Sequence, residues 1–290
     1  MRPIQYCLLL LLPCTLLTAQ EFSGGFRAGL NFISFSADAE MDADGMTLED
    51  FNRTTGFHVG ATFAYEITDL FGFKADLMYS QKGGEVLYEG PSYLFLYAPD
   101  GQGERVQGSL QSERDVLNSY IDIPVVAYYR IGPLELEGGL SAGLLVNSRA
   151  SGSASYTNTV DAQGRGLGTI VYNYDYNYFD DVIGRMAAQE LSSNGTVANV
   201  PTVVNAYYNS TDNTPLYRRL DFGLVGGISF FLNNGLYLGA RYQLGLTDTT
   251  RGENDQRLFS DPSTVNGEIE YNTNDKDYNR VIQASVGFRF

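Results

Sequence analysis

Residues 56–82, GFHVGATFAYEITDLFGFKADLMYSQK, decide the fold class. Apolar side chains occupy every second position on both sides of a break at 67–69, whereas charged groups such as Lys74 and Asp76 fall on the opposite phase. A period of two indicates a β-strand with two unlike faces. Each half is about ten residues long, the length that a tilted strand needs to cross a bilayer. The stretch therefore predicts an antiparallel pair of strands, each long enough to cross a membrane.

The same alternation recurs in six further segments, which makes eight predicted strands. Their apolar phase carries no charged side chain; in the last segment this phase begins at Ile282. The opposite phase holds most polar groups and many glycines. With an even number of antiparallel strands, the first can pair with the last and leave no open edge. The segments are 22–32, 56–66, 70–82, 119–130, 133–147, 219–231, 236–247 and 280–290.

The connections indicate which face points outward, because alternation alone also fits a soluble barrel such as a lipocalin, which is apolar inside. Short connections alternate with long ones, as in outer-membrane barrels with short periplasmic turns and long outer loops. We therefore predict an all-β fold, an eight-stranded antiparallel transmembrane β-barrel with long extracellular loops, formed by residues 21–290. The short connections are 67–69, 132–133 and 233–235, and the long ones are about 33–55, 83–118, 148–218 and 248–279.

The first twenty residues differ from the rest and predict export to the cell outer membrane. Arg2 is followed by an apolar run over 6–17 and by small residues, the pattern of a cleaved signal peptide at 1–20. An uncleaved anchor and lipid attachment at Cys14 are the alternatives. Both cysteines lie in this segment, so the mature chain is expected to have no disulfide.

Composition excludes several classes of function. The chain has 34 acidic and 19 basic residues, a formal net charge of −15, so nucleic acid is not an expected partner. No phosphate-binding loop, dinucleotide fingerprint, zinc-ligand spacing or nucleophile elbow is present, and neither a cofactor nor a metal is predicted. An EF-hand counted from Glu40 would place Phe51 where a glutamate is required, which leaves only loose divalent binding by acidic outer loops.

The inward phase carries five basic and five acidic side chains. An eight-stranded barrel is barely wide enough for its own side chains, so these charges must pair with each other or meet water. We expect a structural ion-pair network that fills the lumen, with a narrow small-solute channel as the alternative. The ten residues are Arg27, Lys74, Asp76, Asp122, Arg130, Glu135, Glu137, Asp221, Arg241 and Arg289.

Two kinds of side chain admit a functional interpretation beside a structural one. His58 is the only histidine and could serve an outer-membrane enzyme, but a single histidine is a weak signal and we do not predict an enzyme. Tyrosines at or near strand ends predict an interfacial aromatic girdle, with a glycan-stacking platform as the alternative. These tyrosines are Tyr65, Tyr79, Tyr129 and Tyr242.

Two local features complicate the strand pattern. Pro124 lies inside the fourth segment, where it cannot donate a ladder hydrogen bond, so we expect a bulge or a locally open ladder. The connection 148–218 is too long for a plain loop. Within it, residues 180–191 (DDVIGRMAAQEL) could form a short helix, with Asp180 near its N-terminus.

Several stretches resemble the PorT-like outer-membrane β-barrel family. They are FRAGLNF at 26–32, the strands at 56–84, SYIDIPVVAYY at 119–129 and the closing VGFRF, and they include the Tyr-Ser-Gln-Lys-Gly run at 79–83 and the Asp-Ile-Pro run at 122–124. The resemblance covers the strands and implies an outer-membrane barrel whose founding relative is linked to protein secretion. The final strand, with Phe288 and Phe290, resembles the signal read by the barrel-assembly machinery. Expected partners are outer-membrane lipid, lipopolysaccharide, that machinery, and an unknown protein or glycan at the outer loops.

Overall fold

The computed structural model describes residues 22–42, 44–97, 103–179, 186–190, 197–201, 216–233, 235–251 and 276–290; the predicted signal peptide lies outside them. The described residues form twelve strands. Within these ranges, no helix is long and apolar enough to cross a membrane. The strands are β1 (Phe22–Ser36), β2 (Glu49–Asn52), β3 (Thr54–Thr68), β4 (Phe71–Tyr97), β5 (Gly103–Ile131), β6 (Leu134–Val160), β7 (Gly166–Asn177), β8 (Met186–Glu190), β9 (Val197–Pro201), β10 (Leu220–Phe231), β11 (Leu236–Gly245) and β12 (Tyr278–Arg289).

Eight of these strands close into a ring, as predicted. The order is β3, β1, β12, β11, β10, β6, β5 and β4, and a further β3–β4 pairing completes the circle. All neighbours in the ring are antiparallel. The first and last strands pair directly, with Gly25 opposite Arg289 and Phe32 opposite Ile282. Closure satisfies the backbone groups that an open edge would expose to hydrocarbon.

The barrel wall is apolar outside and polar inside, which confirms the membrane arrangement over the lipocalin alternative. Phe26 and Leu140 are 60% and 63% exposed, whereas Arg27 and Asp122 on the opposite phase are 1% and 0% exposed. Aromatic side chains pair across the outer wall, for example Phe26 with Phe288 at a centroid distance of 6.2 Å. A soluble barrel would reverse this distribution, because water rather than lipid would face its outer surface.

Beyond the membrane the strands continue, which corrects the prediction of loops at 83–118 and through much of 148–218. The strands β4, β5 and β6 are 27, 29 and 27 residues long, far more than the ten or so that a bilayer requires. β7 pairs along the upper part of β6, and β2 pairs with β4. We call this extension the outer sheet: residues 83–97 of β4, 103–118 of β5, 148–160 of β6, and β7.

The polarity of the strands reverses where the outer sheet begins. Along β5 the membrane segment exposes Ile123 and Val125 on the outer face, but in the outer sheet Leu110 and Val116 are fully buried on the inner face. Above the barrel the inner face builds an apolar core, which includes Leu94, Val106, Leu110, Ala154 and Tyr156. The outer sheet therefore has the inside and outside of a water-soluble β-structure.

Two local predictions met different outcomes. Pro124 sits at an open position: on the β4 side the pairs Ala75–Val125 and Met78–Asp122 are formed and the two between them are not, with unchanged register and hence without a bulge. The prediction of a helix over 180–191 is wrong for Met186–Glu190, because these residues form the strand β8, which pairs with β9. Cross-strand pairing here outweighs local helix propensity. The rest of that segment lies outside the described residues.

Candidate functional site

Alternating inward positions of β1, β4, β6 and β11 place a connected set of charges in the middle of the lumen. Lys74 contacts Glu135 at 2.6 Å and also Glu137. Arg241 bridges Glu137 and Asp76, and Arg27 reaches Asp76 at 3.4 Å. All are nearly inaccessible to solvent. Each charge thus meets an opposite charge, which buried ions need in order to offset lost hydration.

At the end near the chain termini, the same set continues to the barrel mouth. Glu135 accepts from Arg289 at 3.0 Å and lies 3.5 Å from Arg130. Arg130 also reaches Glu66 at 3.1 Å. Arg289 and Arg130 lie over the ring of Phe231, at 4.7 and 5.5 Å. Aromatic faces and carboxylates therefore hold the guanidinium groups across this opening.

A separate cluster lies toward the outer sheet. Lys82 Nζ is 3.2 Å from Asp122 Oδ1 and 3.0 Å from Asp221 Oδ2, and it lies 4.9 Å from the centre of the Tyr120 ring. Gln243 donates to Asp122 at 3.2 Å, and Asn279 donates to Asp221 at 3.1 Å. Within the described part of the chain, Lys82 is the cation that balances these two buried carboxylates.

The structure brings together the ten sequence-predicted lumen residues in these two clusters and adds Lys82 and Glu66. Both added residues are the last residues of predicted strands and fall on the alternate positions that point inward. The same period-of-two pattern could therefore have identified them. Tyr237 was also missed, although it too lies on the inward phase. Its ring covers Gly287 so closely that a Cβ there would lie 2.2 Å from Tyr237 Cζ.

His58 is held inside the lumen wall between two polar side chains. Its Nδ1 is 2.7 Å from Asn31 Oδ1 and its Nε2 is 2.9 Å from Ser285 Oγ. Ser285 in turn accepts a hydrogen bond from Arg27 at 2.8 Å. The three side chains are buried, and among the described residues no carboxylate is hydrogen-bonded to the imidazole ring as one would be in a nucleophilic triad.

The other sequence candidates lie on the barrel surface and in the first outer connection. Tyr65, Tyr129 and Tyr242 are exposed on the outer wall, and the Tyr79 hydroxyl donates to Ser119 at 2.7 Å. Asp42 Oδ1 accepts from the backbone N–H groups of Asp44 and Met46, so it shapes a turn. Among the described residues, no three metal-ligating side chains gather in one place.

A polar groove runs over the outer sheet. It has a volume of about 1000 Å³ and lies between residues 42–50, the upper part of β4, and the outward faces of β5 and β6. Its lining combines hydroxyl and amide groups, acidic side chains, the Tyr88 ring and the apolar side chains of Met46, Leu48, Leu87 and Pro91. The hydroxyl and amide residues of β5 and β6 in the lining are Ser109, Gln111, Ser112, Ser153 and Ser155.

Glu49 lies in this groove and has an altered acidity. Burial, reinforced by the nearby carboxylate of Glu40, raises the pKa of Glu49 to about 8. The backbone N–H of Glu40 donates to Glu49 Oε2 at 3.4 Å. The segment that carries β2 is therefore held against β4 with a carboxyl group that prefers to keep its proton.

Comparison with known proteins agrees with this architecture. A family model described as "Outer membrane protein beta-barrel domain" matches residues 18–251. The chain belongs to this outer-membrane β-barrel family. It is a protein of the cell outer membrane. No curated protein matches the chain.

Solved structures of similar fold are outer-membrane barrels. Ail of Yersinia pestis is 9% identical, with 93% of this chain and 99% of that chain covered and a TM-score of 0.36. OprG of Pseudomonas aeruginosa is 11% identical over 93% and 97% of the two chains, with a TM-score of 0.35. Neisserial surface protein A is 12% identical over 93% and 99%, with a TM-score of 0.32.

Proposed function

We propose that this outer-membrane barrel is a non-enzymatic anchor, closed by its own side chains, that holds the outer sheet above the membrane to bind a neutral glycan. The polarity reversal between barrel and outer sheet carries the proposal. Strands of 27 to 29 residues that keep their pairing and acquire an apolar core form a rigid platform. A plain connector between membrane strands needs neither the length nor the core.

The packing of the lumen favours an anchor over a channel. Arg27, Lys74 and Arg241 cross the interior and bind carboxylates on other strands. Their side chains are almost completely buried, as is the Tyr237 ring that covers Gly287. A barrel of eight strands has room for little besides such side chains. A conducting path would require several of these ion pairs to separate together.

The lining of the groove favours a carbohydrate as the ligand. Serine hydroxyls and the Gln111 amide can donate to and accept from sugar hydroxyls. The carboxylates Glu89 and Glu113 are acceptors for the same groups and would repel an anionic ligand. Among the described residues, no arginine lines the groove, and the Tyr88 ring that does is almost fully buried, so the groove has no exposed anchor of the kind that dominates most protein–protein interfaces.

A glycan array probed with the detergent-folded protein tests this proposal. We expect retention of a set of neutral oligosaccharides and loss of binding by about tenfold or more in Ser155→Trp, because the ring fills the groove. Ser151→Trp is the matched control, since Ser151 lies on the same face of β6 but outside the groove, and it should bind like the wild type. Failure to retain any neutral glycan, or equal loss in both variants, would refute the proposal.

We also infer that the chain is PorT-like. The two runs that carry the resemblance contact each other, because Lys82 of the Tyr-Ser-Gln-Lys-Gly run pairs with Asp122 of the Asp-Ile-Pro run. Gly83 follows with a φ of +134°, and a Cβ there would lie 2.1 Å from the Val116 carbonyl oxygen. A physical link of this kind supports the two motifs as one structural unit. It does not extend to the secretion role of the founding relative.

A further inference from the structure

A second cleft lies on the outer wall of the barrel, away from the lumen and the groove. It has a volume of about 440 Å³ and opens between the upper ends of β1, β11 and β12 and the β2–β3 connection. Phe32, Tyr242 and Ile282 line its apolar part, and Arg53, Arg280 and Asp50 line its polar part. The cleft therefore joins a lipid-facing surface to a charged one.

The register places these two parts one above the other. Phe32, Ile282 and Tyr242 are cross-strand neighbours on β1, β12 and β11, and they point outward. The next row of outward-pointing side chains toward the outer sheet contains Arg280, which lies between Ser34 and Leu244. Arg280 is thus the first charged residue above the apolar wall at this side of the barrel.

The height of that row coincides with the membrane boundary. The apolar phase of β1 runs from Phe22 to Phe32. Ten residues of antiparallel strand tilted at about 40° span roughly 25 Å along the barrel axis, the height of the apolar band in outer-membrane barrels. Phe32 therefore marks the edge of the hydrocarbon, and Arg280 lies at the level of the lipid headgroups.

The two arginines suit an anionic headgroup. Arg280 Nη1 donates to the carbonyl oxygens of Gly245 and Asn279, each at 3.0 Å, and its guanidinium lies 5.4 Å from the centre of the Tyr278 ring. Within the described ranges, neither Arg53 nor Arg280 forms an ion pair with a carboxylate, although the chain has 34 acidic residues. Arg280 is held in place by these contacts, and in the same ranges neither guanidinium group is neutralised by an ion pair, so the two groups match phosphate oxygens.

We propose that this cleft binds one phosphorylated glycolipid of the outer leaflet. Its acyl chains pack on Phe32, Tyr242 and Ile282, and its phosphate accepts hydrogen bonds from Arg53 and Arg280. The carboxylate of Asp50 accepts from a sugar hydroxyl of the same headgroup. This occupant satisfies both the apolar and the cationic parts of the cleft, which a free anion or an uncharged lipid would not.

Native mass spectrometry of the detergent-folded full chain tests the proposal with diphosphorylated lipid A as the probe. We expect one retained lipid A, retention weakened by about tenfold or more in the variant Arg53→Gln/Arg280→Gln, and little retention of dephosphorylated lipid A. Arg219→Gln is the matched control, because Arg219 is an exposed arginine outside the cleft, and it should retain lipid A like the wild type.

Three outcomes would overturn the proposal. Equal retention of phosphorylated and dephosphorylated lipid A would show that the arginines do not select phosphate. Equal retention of phosphatidylglycerol would show that the sugar is not recognised. Displacement of lipid A by millimolar inorganic phosphate would show a site for a free anion. Correct folding of each variant is confirmed by its gel shift on boiling, so a misfolded barrel is not mistaken for a binding defect.

Discussion

Lys82 and Asp122 approach to 3.2 Å inside the lumen, although forty residues and an entire extracellular hairpin separate them in the chain. Asp221, from a third strand, reaches the same ammonium group at 3.0 Å. One cation therefore connects β4, β5 and β10 just below the level at which the strand polarity reverses. Removing it would leave two carboxylates buried without a counter-charge.

Lys82→Met is expected to lower the free energy of unfolding by about 3 kcal/mol, because both carboxylates lose their cation. Urea titration of the detergent-folded protein, followed by gel mobility without boiling, measures this loss. The double variant Lys82→Met/Asp221→Asn should recover part of the stability. Arg149→Met is the control: its ion pair with Asp175 is exposed on the outer sheet, and its loss should leave the unfolding midpoint unchanged. Equal stability of Lys82→Met and wild type would contradict the ion-pair account.

Reconstituted in a planar bilayer, the wild-type barrel is expected to show no discrete conductance steps. Replacing Arg27, Lys74 and Arg241 together by alanine should open a water-filled path lined by carboxylates, and its conductance should favour cations. Steps in the wild-type protein would instead support the small-solute channel. Current–voltage curves in asymmetric potassium chloride give the selectivity.

Gly287→Ala is expected to destabilise the barrel by about 1–3 kcal/mol, because its methyl group would overlap the buried Tyr237 ring. The double variant Gly287→Ala/Tyr237→Val should recover most of that loss, since the smaller side chain frees the space. Gly226→Ala provides the control: a Cβ at Gly226 has no neighbour within 4 Å. Thermal unfolding of all four proteins in the same detergent makes the comparison. A Gly287→Ala variant that unfolds at the wild-type temperature would count against the observed packing.

The docking of β2 on β4 should weaken as pH rises. The folded pKa of Glu49 is about 8, above its ordinary value of 4.5, because of burial and the neighbouring Glu40. Between those values the folded segment holds a proton that the detached segment releases, so docking is strongest below pH 4.5 and is weakened as pH rises through 8.

Amide hydrogen exchange over residues 49–52, corrected for the intrinsic pH effect, should show this loss of protection in the wild type. Glu49→Gln should remain protected at pH 8, whereas the control Asp50→Asn should keep the wild-type pH dependence. A pH-independent exchange rate in the wild-type protein would rule out the role of Glu49.

Phe290→Ala is expected to reduce the amount of folded barrel in cells several-fold, because the final strand resembles the assembly signal. The same variant should refold in detergent nearly as well as wild type, since Phe290 is 74% exposed and its backbone, which pairs with Gly24, is retained. Comparing heat-modifiable protein in cell envelopes with refolding yield in vitro separates recognition from stability. An unchanged level in cells would show that Phe290 is not part of the signal.

The barrel was predictable because its signal is local. Within each membrane strand, a period of two sorts side chains such as Phe26 and Arg27 onto opposite faces, and a bilayer imposes that sorting on every strand in the same sense. The ion pairs could be predicted from the sequence only in part. The alternate position of a residue along its strand identifies which charges point inward. The register of each strand along the barrel axis decides which of these charges meet.

The outer sheet was missed for a specific reason. Its strands also alternate, but their apolar phase is inverted relative to the membrane segment: Leu110 and Val116 lie on the phase of Asp122 in β5. A search for one continuous apolar phase ends at this inversion and assigns a loop. The groove and the cleft could not be predicted, because both depend on residues 42–53 lying against strands far along the chain.

Pairing of β1 with β12 has a consequence for how the protein is made. The hydrogen bonds between Gly24 and Phe290 join β1 to the residue that follows β12, so two strands from opposite ends of the ring's sequence order form one seam. Until β12 takes its place, β1 has a neighbour on one side only, β3, and its other edge is unpaired. An unpaired edge is a template for aggregation, so we expect the barrel to be most vulnerable before this one pairing forms.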